Sequence, residues 1–143
     1  MPDPFNLERF VDAQEPVYGD VLAELRAGRK RSHWIWFVFP QIAGLGRSGM
    51  AQFFAIGSLD EARAYLDHPV LGPRLDECTG LVLAVEGRTV HDIFGSPDDL
   101  KFGSSMTLFA EAGSQAAPFR AALEKFFDGR PDRRTLEILR TRA

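Results

Sequence analysis

The chain predicts an all-α fold: one domain built as an irregular bundle of about eight or nine short helices. Three observations predict it. Apolar residues recur at helical spacing along most of the 143 residues, helix-start and helix-stop residues bracket those stretches, and only one segment reads naturally as a strand. The length suits one domain, with a core from about residue 7 to 139. Twelve Phe, two Trp and two Tyr supply far more aromatic surface than a disordered chain carries.

The elements follow in order. Leu7, Phe10, Val11 and Gln14 form a short amphipathic stretch, and Pro16 restarts the chain because proline suits a first helical turn. Val17, Tyr18, Val21, Leu22 and Leu25 recur at helical spacing up to a stop at Gly28. Trp34 to Phe39 is the segment with strand-like aromatics. It lacks a partner strand, so it reads as a short buried helix capped by Ser32 and stopped before Pro40. A short helix runs from Ser48 to Phe54. Ser58 and Glu61 have the spacing of a capping box and open a helix through Leu66.

Leu71, Leu75, Cys78, Val82 and Val85 are separated by four, three, four and three residues. That is one face of a helix about four turns long, closed by Gly87. Thr89 to Asp92 starts a single turn ended by Gly95. Ser96-Pro97-Asp98-Asp99 carries a cap, a first-turn proline and two acids that suit the helix dipole. This helix carries Leu100, Met106, Leu108 and Phe109, with Gly103 as a soft spot. Pro118 to Phe127 is followed by Gly129, and Asp132 caps a last helix through Leu136 and Leu139.

Composition excludes several functions. A net charge of −3 argues against a nucleic-acid binder. From Arg120 onward seven Lys/Arg face four Asp/Glu, so a basic tail follows an acidic body. The apolar run Trp34–Phe39 is far too short to span a membrane. One cysteine, Cys78, allows no internal disulfide, and the first residues have no secretory pattern, which points to a cytoplasmic setting. His33, His68 and His91 lack partners at metal-ligand spacing, so neither a metal nor a cofactor is expected. Asp60-Glu61 and Asp98-Asp99 are accounted for by helix starts rather than by paired-carboxylate chemistry.

Gly44 to Gly49 matches the dinucleotide-binding pattern G-x-G-x-x-G. That fold needs a strand running straight into the glycines and a second strand carrying an acid about twenty residues later. Pro40 breaks the approach, and a capped helix occupies the place of the second strand, so a Rossmann unit is excluded. A glycine turn leading into the Ser48 helix could still offer backbone N–H groups to an anion, with Arg47 beside them. The alternative is a turn whose glycines only permit unusual dihedrals.

Two further segments carry anion-binding chemistry. Arg29-Lys30-Arg31-Ser32-His33-Trp34 sets cations beside aromatic faces, a pairing suited to a phosphate on a flat ring. Lys101, Ser104 and Ser105 share one helix face. The expected site gathers Arg31, His33, Trp34, Gln41, Arg47, Ser48, Lys101, Ser104 and Ser105 around a small phosphorylated or nucleotide-like anion. Two alternatives stand beside it. One is a hydrolase or transferase using the same pocket, with His33 as acid or base. The other is a protein-interaction module using the basic helix from Asp132 onward. The binding and enzyme readings both require that the named segments converge in space.

RKRSHWIWFVFPQIAGLGRS, ARAYLDHPVLGPRLDEC and IFGSPDDLKFGSSMTLFA resemble the bacterial family called domain of unknown function 1810, over about Leu7 to Leu139. The resemblance implies a small, mainly helical single domain and brings no catalytic residue with it. Family members are sometimes labelled calpastatin-like, but calpastatins are disordered and this composition forms a core. Gly103 stands where the family pattern would place a larger, often basic residue.

Overall fold

The computed structural model describes residues 2–113 and 116–141, and among them ten α-helices and no strand. They are α1 (Glu8–Gln14), α2 (Tyr18–Arg26), α3 (Ile35–Val38), α4 (Gly49–Phe53), α5 (Leu59–Asp67), α6 (Leu71–Leu83), α7 (Val90–Phe94), α8 (Asp98–Ala112), α9 (Ala117–Phe127) and α10 (Arg133–Thr141). The predicted bundle is the observed one, with the single turn at Thr89 long enough to count as a helix. No described helix is long and apolar enough to cross a membrane.

Helix α8 is the axis of the domain. It packs against α3, α5, α7, α9 and α10, and every residue from Phe102 to Ala110 is buried. A helix surrounded in this way has no wet face to mark it, so small residues sit where neighbours come close. Gly103 is one of them: a Cβ there would lie 2.9 Å from the Phe127 ring of α9. The predicted soft spot is therefore a close-packing position. Phe102 is fully buried between Phe39, at 4.9 Å, and Phe94, at 4.7 Å between ring centroids. Burying one such side chain contributes roughly 1.5–3 kcal/mol.

Polar side chains tie the outer helices to this axis. Buried Gln14 of α1 donates to the Phe37 carbonyl (2.6 Å) and to the Tyr65 hydroxyl (3.2 Å), joining α1 to α3 and α5. Arg9 donates to the carbonyls of Phe5, Asn6, Phe53 and Ala55 and pairs with Glu61 at 2.9 Å. At the α5–α6 break, His68 Nδ1 accepts from the backbone N–H groups of Val70 and Leu71, acting as the cap of α6.

Several caps fall as the sequence predicts. Thr89 and Asp92 form a reciprocal capping box, Ser48 and Ser58 accept from the backbone of their helices, and Asp132 accepts from Thr135. Three details differ. Glu61 Oε1 accepts from Gly57 N rather than from Ser58 N, so the α5 box is not reciprocal. Ser32 does not cap α3, because its hydroxyl donates to Glu24. Ser96 does not cap α8; the helix starts after Pro97, and its first acids are taken up by side chains from elsewhere in the fold.

Candidate functional site

The connection from α2 to α3 is built around one carboxylate. Glu24 accepts from the backbone N–H groups of Arg31 (2.6 Å) and Ser32 (2.9 Å), the Ser32 hydroxyl (2.6 Å) and the Trp34 indole (3.0 Å). Burial would raise its pKa, but the hydrogen bonds from Ser32, Arg31 and Trp34 outweigh it and hold the carboxyl down at about 2. The cage turns the chain so that Trp34 enters the core, 1% exposed, against Phe39 and Phe94. Arg31 and His33 stay exposed on the outside of the turn.

Lys30, which the sequence reading left out of the site, is what links this connection to α8. Its side chain is only 5% exposed, and Nζ lies 2.8 Å from Asp98 Oδ2 and 5.1 Å from the centre of the Trp34 ring. Asp98 Oδ1 is 3.5 Å from Lys101 Nζ, which sits 5.3 Å over Trp36. Two of the three expected segments thus meet, through a Lys–Asp–Lys arrangement with one positive charge in excess. The hydroxyls predicted to share the Lys101 face are turned inward. Ser104 donates to the Leu100 carbonyl, and Ser105 is fully buried.

The third segment lies elsewhere. The glycine turn is closed by a parallel bridge between Ile42 and Ile56, in which Ile56 N donates to Gln41 O and Ala43 N to Ile56 O. Gly44 has a φ of 107°, and a Cβ on Gly46 would lie 2.5 Å from the Ala51 Cβ. Both glycines are therefore required by the turn itself. Ser48 caps the five-residue α4, and Arg47 is exposed. Gln41 is half-buried at the bridge. Among the described residues, no hydrogen bond or ion pair joins Arg47, Ser48 or Gln41 to the Lys30–Asp98–Lys101 group.

A different concavity opens beside Lys30. A cleft of about 420 Å³ is lined by Arg29 and Lys30 on one side and by Arg88, His91 and Phe94 on the α7 side. Arg88 is aimed by two carbonyls: Nε donates to Gly28 O (2.9 Å) and one terminal nitrogen to Asp92 O (3.2 Å). Gly28 (φ 72°) and Gly95 (φ 74°) supply the turns that bring the two segments together. Among the described residues no carboxylate lies within ion-pair distance of Arg29 or Arg88. Asp92, the acid on this wall, accepts from Thr89 N in the α7 capping box. His91 Nδ1 lies 3.2 Å from Asp99 Oδ2.

Sequence reasoning missed Arg88 and His91 because they are about sixty residues from the basic connection, on α7 and the residues just before it. The available signal was that segment's bracketing by Gly87 and Gly95. Cys78 is a buried thiol, with burial pushing its pKa up to about 12, and so has no part in nucleophilic chemistry. Among the described residues, no group of three or more His, Cys, Asp or Glu is placed to hold a metal ion.

Comparison with known proteins agrees with the architecture. The crystal structure of the conserved hypothetical protein Rv1873 from Mycobacterium tuberculosis superposes with a TM-score of 0.96 at 60% sequence identity, covering 96% of this chain and 99% of that one. No curated protein matches. The family model described as protein of unknown function DUF1810 matches residues 4–139, and the chain belongs to that family.

Proposed function

We propose that this domain binds a small phosphorylated or nucleotide-like anion in the cleft between the α2–α3 connection and α7. The observation that carries the reading is a pair of guanidinium groups, Arg29 and Arg88, on one concavity whose lining acid, Asp92, lies beyond ion-pair distance of both. A guanidinium held by carbonyls keeps its charge and its remaining donors for a ligand, and its planar fork matches phosphate oxygens. A volume of about 420 Å³ suits a metabolite of modest size. Lys30 is neutralised by Asp98, so the two arginines, set against the single acid Asp92, carry the net attraction. Arg31 and His33 stay on the exposed outside of the α2–α3 connection and Lys101 pairs with Asp98, while Arg47, Ser48 and Gln41 form a separate candidate at the glycine turn.

A thermal-shift series with inorganic phosphate, pyrophosphate, nucleotides and sugar phosphates tests this. Ligand at 100 times its Kd adds about 2.7 kcal/mol of stability. The shift is expected in the wild type, to be lost in Arg29→Ala and to persist in Arg47→Ala. The reverse pattern moves the site to the glycine turn. No shift with any of these anions removes the anion-binding reading.

A further inference from the structure

We propose that His91 and Asp99 are the acid–base pair of a phosphate-ester hydrolase seated in this cleft, an inference that rests on the cleft binding a phosphorylated anion. His91 Nδ1 and Asp99 Oδ2 are 3.2 Å apart. A carboxylate at that distance favours the hydrogen on Nδ1 and leaves the lone pair on Nε2. The same carboxylate–imidazole pairing orients general bases in hydrolases on unrelated folds.

The pair is held from both sides. Asp99 is in the first turn of α8, its side chain only 15% exposed, and its Oδ1 accepts from Leu100 N at 2.9 Å. His91 is fixed through the backbone of α7, with the Thr89–Asp92 box at one end and Gly95 N donating to His91 O (2.8 Å) at the other. Yet 65% of the His91 side chain stays exposed, on the same cleft wall as Arg88. An anchored imidazole with one engaged nitrogen, beside two guanidinium groups, has the parts that ester hydrolysis requires. His33, the histidine nominated by sequence, makes no side-chain hydrogen bond among the described residues and has no carboxylate to orient it.

The step balances without any further reactant. A water oxygen attacks phosphorus as Nε2 removes its proton. The bond from phosphorus to the ester oxygen breaks, its electron pair stays on that oxygen, which leaves opposite the incoming water and takes a proton from solvent, while the imidazolium gives its proton back to solvent. One water is consumed, and one alcohol and one inorganic phosphate are released. Arg29 and Arg88 carry the charge of the non-bridging oxygens throughout.

The test uses para-nitrophenyl phosphate as the substrate probe and inorganic phosphate as the binding probe, on the full chain. Wild type is expected to release para-nitrophenolate. His91→Ala is expected to lower kcat at least 100-fold, the scale of general acid–base catalysis, while weakening phosphate binding far less. Asp99→Asn is expected to lower kcat about tenfold or more with little change in KM, whereas Arg29→Ala raises KM. Phosphate binding with no turnover, or turnover undiminished in His91→Ala, overturns the catalytic proposal and leaves the binding reading standing. Absence of phosphate binding overturns both.

Discussion

The Trp34 indole N–H donates to Glu24 Oε1 at 3.0 Å, and this bond decides where the chain goes after α2. It fixes a 1%-exposed tryptophan by its one polar atom, while three more donors from residues 31 and 32 close on the same carboxylate. Glu24→Ala strands a buried indole N–H and frees two backbone amides. The expected loss is about 3 kcal/mol, read from urea unfolding with tryptophan fluorescence as the probe. A loss below 1 kcal/mol would mean that packing alone seats the tryptophan.

The same carboxyl gives a pH dependence. Its folded pKa of about 2 lies below the ordinary 4.5, so its contribution is complete above about pH 4.5 and is lost as pH falls towards 2. The Tm difference between wild type and Glu24→Gln should therefore be constant at neutral pH and shrink on acidification from 4.5 downward. A difference independent of pH across that window would show that charge on Glu24 contributes nothing.

Much of the fold was legible because its helix ends are local. Thr89 with Asp92, Ser58 with Glu61 N and Asp132 with Thr135 are all settled within three residues, as was the stripe from Leu71 to Val82. Ser32 fails as a cap for a non-local reason, because Glu24 takes its hydroxyl, and Ser96 fails because α8 begins one residue later, after Pro97. The site suffered more. Spacing places Lys101, Ser104 and Ser105 on one face but cannot say whether that face meets water or core. Two of the three are buried, and the cleft is completed by Arg88 and His91, which no local pattern connects to Arg29.

Two glycines of α6 should respond oppositely to alanine. A Cβ on Gly72 would sit 2.1 Å from the Leu66 carbonyl oxygen, a backbone atom that moves only if the α5–α6 corner opens. Gly80 has no atom within 4 Å of a Cβ and is exposed. Gly80→Ala should gain about 0.5–1 kcal/mol from helix propensity and reduced freedom of the unfolded chain. Gly72→Ala has the same intrinsic gain available and should still lose about 2 kcal/mol or more to overpacking. Thermal unfolding of the two variants side by side checks this; equal and positive shifts would refute the steric reading of Gly72.

Lys30 and Asp98 join segments 68 residues apart, and their coupling is separable from that of Lys101. The Lys30 side chain is 5% exposed and its bond to Asp98 is 2.8 Å, whereas Lys101 is 24% exposed and 3.5 Å away. Removing one member of a shielded pair leaves the other charged and short of partners, which costs more than losing a wet contact. Lys30→Met should therefore destabilise by about 2–3 kcal/mol and Lys101→Met by under about 1 kcal/mol. In the double variant Lys30→Met/Asp98→Asn the losses should fall short of additive by about 1–2 kcal/mol, since neither charge is then left unmatched. The same cycle built on Lys101 and Asp98 should be additive to within about 0.5 kcal/mol. Additivity in the Lys30 cycle would mean that the connection is held by the Glu24 cage alone, and that Lys30 brings to the cleft a charge that Asp98 does not neutralise.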